Sequence, residues 1–118
     1  MRVVNRTREV VLGDKVRTAS TFRSRLAGWL GTAGIGEGEG LWIVPCRGVH
    51  TMGMRYPIDV AFLDAWGVVV GTLEGLPPNR VGRVFRDARG ALELRSGVLA
   101  ATGTAPGDRL EFEEGEPS

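Results

Sequence analysis

Residues 58–63, Ile-Asp-Val-Ala-Phe-Leu, set one polar side chain among five apolar ones in a run of strand length. On an extended strand Ile58, Val60 and Phe62 face one way and Asp59, Ala61 and Leu63 the other, so both faces are expected to be buried. Shorter extended segments are expected at 2–5, 9–12 and 15–18, with Gly13-Asp14 able to turn between the last two. Residues 41–46 read as a buried strand closed by Pro45. Residues 58–63 and 68–73 form a predicted hairpin, because Asp64-Ala65-Trp66-Gly67 places Asp first and Gly fourth in a turn. After Pro77-Pro78 the pattern weakens until 91–94, where Leu92 and Leu94 share the face opposite Glu93. A last strand at 109–112 follows the Pro106-Gly107-Asp108 turn, and the acidic residues 113–118 are expected to fray.

Two stretches carry a helical signal instead. Ser20 suits an N-cap, Phe22, Leu26, Trp29 and Leu30 fall on one helical face, and Gly31 can end the helix. A shorter helix is expected over 97–102. Residues 31–40, GTAGIGEGEG, hold five glycines and are expected to form a mobile surface loop. It does not read as a phosphate loop, because no Lys-Ser/Thr pair follows and Glu37 and Glu39 would repel the anion.

A chain of 118 residues is expected to be one domain, 1–118, and its 42% hydrophobic and 25% charged content is that of a globular protein. No apolar run is long enough to span a bilayer, and the start MRVVNRTREVV puts arginines where a signal peptide needs apolar residues. A cytoplasmic location is therefore expected. Cys46 is the single cysteine and His50 the single histidine, too few for a usual closed zinc site.

The net charge of +1 is unevenly spread: residues 1–30 sum to +5, 31–78 to −3, 79–95 to +3 and 96–118 to −4. Arg80, Arg83, Arg86 and Arg89 read as solvated surface, since no aromatic interleaving or nucleic-acid module accompanies them. Neither nucleic acid nor membrane is expected as a partner.

Candidate chemistry concentrates at residues 50–64, HTMGMRYPIDVAFLD. Asp59 must find partners in such apolar surroundings. Cys46, His50 and Asp59 have the composition of a nucleophilic triad, but a continuous strand of four residues spans about 13 Å, so Cys46 meets His50 only across a turn at Gly48. The simpler expectation makes Cys46 a small buried residue and His50 a hydrogen-bonded tie. Asp59 and Asp64 lie on opposite strand faces and cannot share a proton. Asp59 and Glu93 can meet if their strands are neighbours, and with His50 they would offer oxygen and nitrogen ligands to a divalent cation. Met52, Met54, Tyr56, Trp42 and Trp66 supply apolar material for a core or a pocket wall.

These landmarks together resemble a bacterial and archaeal family, domain of unknown function 192. The resemblance rests on His50-Thr51, Met54, Ile58-Asp59-Val60, Leu63-Asp64, then Glu93-Leu94 with Gly97, and Gly107-Asp108, with an upstream match at residues 25–30. It implies a mainly β fold, a compact antiparallel β barrel or sandwich with one or two short helices, and implies no reaction. On the residues, the expected role is non-catalytic binding of a small polar ligand or a protein partner at His50, Met54, Asp59 and Glu93. The alternatives are a hydrolase-like or divalent-metal site on His50, Asp59 and Glu93, and a structural accessory subunit of a larger assembly. No residue is expected to be catalytic, and no metal or cofactor is expected.

Overall fold

In a computed structural model, which describes residues 1–20, 29 and 33–114, the extended segments become eight strands and one short helix. The strands are β1 (Arg2–Asn5), β2 (Val10–Gly13), β3 (Lys15–Ala19), β4 (Glu39–Ile43), β5 (Ile58–Leu63), β6 (Val69–Leu76), β7 (Gly90–Arg95) and β8 (Leu110–Glu113), with α1 (Val98–Thr102) between the last two. They form two sheets, ordered β2-β1-β8 and β3-β4-β7-β5-β6. The arrangement is a sandwich and not a closed barrel. No helix among the described residues is long and apolar enough to cross a membrane.

Strand parity builds two cores. Val3, Leu12 and Leu110 of the small sheet pack with Ala61, Leu63, Leu92 and Leu94 of the large one, and Leu99 of α1 joins them. On the other face of the large sheet, Ile58, Val60, Phe62, Leu41, Ile43 and Ala91 pack against Trp29, Ile35, Val49, Met54 and Tyr56. Residues such as Phe62 and Leu92 are fully buried, and each large side chain of this kind contributes about 1.5–3 kcal/mol by leaving water.

Three expectations change. Gly13-Asp14 does not close a hairpin: β2 pairs with β1, whereas β3 crosses to the other sheet and pairs with β4 in parallel. The sandwich is thus mixed, not wholly antiparallel. The described part of the glycine-rich stretch is also not all surface loop, since Ile35 is buried in the core and Glu39 and Gly40 open β4. A Cβ on Gly40 would lie 3.0 Å from a Leu94 methyl and 3.1 Å from the Glu93 carbonyl oxygen, so this glycine lets β4 and β7 approach. The last strand continues through Glu113, whose carboxylate meets Arg2 at 2.9 Å and Arg6 at 3.1 Å. The helix expected between Ser20 and Gly31 lies outside the described residues apart from Ser20 and Trp29.

A buried network ties the small sheet to the turn before β8. The Asn5 amide donates to Thr104 Oγ1 (3.1 Å) and Asp108 Oδ2 (2.9 Å), and Arg8 Nε and the Ala105 N–H donate to the same Asp108 oxygen at 2.6 and 3.1 Å. Burial alone would raise the Asp108 pKa, but hydrogen bonds from Asn5, Arg8 and Ala105 and the Arg8 charge together hold it below its ordinary value. A depressed folded pKa means stability that is present above the ordinary carboxylate value and is lost as pH falls through the folded one. Melting temperature is therefore expected to drop on acidification from about pH 4 downward, and Asp108→Asn should flatten part of that slope. Identical acid profiles for the two proteins would contradict this assignment.

Candidate functional site

The large sheet determines where the four expected site residues go. β5 and β7 are neighbours, as the Asp59–Glu93 pairing requires, but the register sets Asp59 opposite Leu94 and Val60 opposite Glu93. The two carboxylates therefore point to opposite faces. Asp59 faces the core between the sheets and Glu93 the outer core, and they cannot hold one ion or one proton.

Asp59 is 1% exposed and serves the backbone. The β5–β6 register slips here, so Glu74 and Gly75 stand opposite Asp59 alone. The Gly75 N–H donates to Asp59 Oδ1 at 2.8 Å, while Gly97 and Leu99 donate to Oδ2 at 3.0 and 2.9 Å. Gly97 is the N-cap of α1 and has no side chain with which to cap it. A carboxylate from β5 thus does for α1 what a capping side chain does locally.

Glu93 sits fully buried in the central strand of the large sheet. Its Oε1 accepts the Trp29 indole N–H at 2.8 Å, and the Trp29 carbonyl oxygen accepts the Tyr56 hydroxyl at 3.3 Å. Met54 packs in the same core, its N–H donating to the Thr51 carbonyl oxygen at 3.0 Å. Glu93 and Met54 thus share one side of the sheet.

His50 lies elsewhere, on a half-buried loop. Its Nδ1 accepts the Met52 N–H at 3.2 Å, the Cys46 thiol donates to the Gly48 carbonyl oxygen at 3.1 Å, and the Asp59 oxygens are occupied as described. The three side chains do not compose a nucleophilic triad. Among the described residues no three His, Cys, Asp or Glu side chains gather to hold a metal ion. The hydrolase or metal arrangement of His50, Asp59 and Glu93 is therefore corrected by the strand register.

Thr51, beside His50, was marked in the sequence only as part of the family pattern. It is fully buried: its hydroxyl donates to the Pro77 carbonyl oxygen and accepts the Arg80 N–H at 3.0 Å. Around it, residues 46–53 and 79–89 run side by side as an irregular ribbon. Thr51 donates to Arg80, Gly82 to Val49, Phe85 to Arg47 and Cys46 to Arg89 through backbone bonds of 2.8–2.9 Å, and His50 bridges Val81. This ribbon carries a surface that the solvated-arginine expectation did not describe. Val81 is 80% exposed, Val84 61% and Met52 49%, and Trp66, at the β5–β6 turn, is 78% exposed. Trp66 borders a cavity of about 300 Å³ that it shares with Arg47, Arg86 and Arg89, so the turn adjoins the ribbon. The available signal was the order Arg-Val-Gly-Arg-Val-Phe-Arg at 80–86, where valines stand in a segment without strand periodicity.

A family model now spans this architecture. It covers residues 3–112, from β1 into β8, and describes the uncharacterised family domain of unknown function 192, "Uncharacterized ACR". The chain belongs to that family. No curated protein matches the sequence at a significant level. Two solved structures share the fold. A protein of unknown function from Novosphingobium aromaticivorans DSM 12444 is 20% identical with a TM-score of 0.78, covering 94% of this chain and 82% of its own. A protein from Sinorhizobium meliloti 1021, provisionally described as a transcription regulator, is 21% identical with a TM-score of 0.74, covering 93% and 89%. At these identities the likeness concerns the fold alone. The chain is thus a small, mainly β domain of an uncharacterised family.

Proposed function

We propose that this domain binds without catalysis and that its partner is another protein, docked on the ribbon and on Trp66. One observation carries the reading: of five large apolar side chains exposed among the described residues, four (Met52, Trp66, Val81 and Val84) belong to the ribbon and the adjoining turn. A row of apolar side chains in water is costly to keep unless a partner covers it, and Trp beside Arg is the composition of binding hot spots. The carboxylates expected to bind are engaged inside the fold, Asp59 by the Gly75 N–H and Glu93 by the Trp29 indole. An accessory role in an assembly is one form of this reading. A cytoplasmic location belongs to it as well, in keeping with a single cysteine that cannot form an intrachain disulfide.

The test is a selection of random peptides against the domain. Enriched peptides should bind Trp66→Ala about 30-fold more weakly, the loss of a hot spot worth about 2 kcal/mol. Peptides that bind Trp66→Ala and wild type alike would overturn the reading.

A second reading, a small polar ligand near Glu93, Met54 and His50, is favoured by the fully buried Glu93 carboxylate on an apolar face. It expects a metabolite screen to raise the melting point of wild type and not of His50→Ala. At 100-fold saturation such a ligand would add about 2.7 kcal/mol. A screen with no shift contradicts it.

A further inference from the structure

The charges of the ribbon say what kind of protein surface it meets. The ribbon together with the two residues after its first segment, 46–55 and 79–89, holds Arg47, Arg55, Arg80, Arg83, Arg86 and Arg89, all exposed, against one carboxylate, Asp87. That leaves +5 here, so the remainder of a chain whose net charge is +1 carries −4. None of the six forms an ion pair among the described residues, and the contacts they do make are with neutral groups: Arg83 lies 5.0 Å above the Phe85 ring and Arg80 reaches the Asn79 carbonyl oxygen at 3.4 Å. Asp64, near Trp66, spends Oδ1 on the N–H groups of Trp66 and Val68. The small sheet, through β1 and β8, shows the contrast. There Arg2, Arg6 and Arg8 are matched to Glu113, Glu111, Glu9 and Asp108 at 2.6–3.5 Å.

Resting on the protein-docking reading, we propose that the ribbon's occupant is an acidic segment that also carries aliphatic side chains. Guanidinium groups take carboxylates in paired hydrogen bonds, and six of them against one carboxylate set both the sign of the partner and a fast, steered encounter. Val81 and Val84, interleaved with Arg80, Arg83 and Arg86, need apolar groups opposite them. A nucleic-acid backbone would leave these valines against phosphate and water. A membrane surface would favour several aromatic anchors, and this surface exposes one, Trp66, beside valines and a methionine. A second copy docked ribbon to ribbon would set like charges face to face.

The experiment uses the whole chain and synthetic peptides of equal length: alternating Glu and Leu, alternating Gln and Leu, and all Glu, with a DNA duplex and phosphatidylglycerol vesicles as further probes. The Glu/Leu peptide should bind at least about tenfold more tightly than either other peptide and weaken as salt is raised. Its binding should be lost in Arg83→Glu/Arg86→Glu, fall in Val81→Ser/Val84→Ser and persist in Arg2→Glu, all three at exposed positions that leave the cores intact. Equal binding of the Gln/Leu peptide overturns the acidic partner while leaving the docking reading to the Trp66→Ala result. Equal binding of all-Glu, tighter binding of DNA or vesicles, equal loss in Arg2→Glu, or no binding by any peptide also overturns it. So does self-association in sedimentation that Arg83→Glu/Arg86→Glu abolishes.

Discussion

Asp59→Ala is expected to lower the stability of the domain by about 2 kcal/mol or more, because the buried Leu99 N–H and the part-buried N–H groups of Gly75 and Gly97 lose one carboxylate and an unsatisfied buried donor costs about 1–3 kcal/mol. The three donors belong to separate elements: Gly75 to β6, Gly97 to the turn after β7 and Leu99 to α1. Their loss would detach α1 from β5 and open the β5–β6 bulge together. A five-residue helix has little stability of its own and depends on such a cap. Asp59→Asn keeps one oxygen for these donors but turns an amide NH2 toward the others, so it should fall between alanine and wild type. Urea denaturation gives both values. An alanine variant within about 0.5 kcal/mol of wild type, the range of ordinary surface changes, would show that the carboxylate is not the tie described. Because Asp59 faces away from the ribbon, whatever fraction of the variant stays folded should bind the Glu/Leu peptide as wild type does.

Thr51→Val is the complementary experiment. Valine nearly matches the shape of threonine but leaves the Pro77 carbonyl oxygen without its donor and the Arg80 N–H without its acceptor. The expected cost is about 1–2 kcal/mol, since two part-buried groups lose their partner inside the fold. The consequence should be local as well as global. Since Thr51 joins the two segments of the ribbon, amide exchange at residues 79–82 should quicken and Glu/Leu peptide binding should weaken. His50→Ala, which removes the acceptor of the exposed Met52 N–H, should cost about 1 kcal/mol. If His50→Ala proves the more destabilising of the two, the roles assigned to these neighbours are reversed.

Much of this architecture is legible from strand-length runs and their parity. The expected strands at 2–5, 58–63 and 91–94 lie within β1, β5 and β7, and Leu92 and Leu94 do share the face opposite Glu93. The turn at 64–67 also forms, with Gly67 donating to the Asp64 carbonyl oxygen at 3.2 Å. What parity does not carry is the register between strands. Asp59 and Glu93 each have a definite face within their own strand, but whether those faces coincide depends on pairing Asp59 with Leu94, and one residue of slip would reverse it. The same limit hides the destination of β3, since Gly13-Asp14 is equally suited to a hairpin and to a crossing between sheets. Asn5 gives no local sign of its partners because they lie 99 and 103 residues away. The ribbon was missed for another reason. Valine in a sequence is read as core, and only the backbone bonds between 46–53 and 79–89 set Val81 and Val84 outward.

The exposed ribbon, and not the buried carboxylates, is the proposed working surface of the domain. Amide chemical-shift mapping of the full chain with a library-selected peptide tests it most directly. The predicted result is a continuous footprint over residues 46–53, 64–67 and 80–89, absent in Trp66→Ala. Shifts centred on β7 around Glu93, or on α1 and Asp59, with the ribbon unmoved, would contradict it.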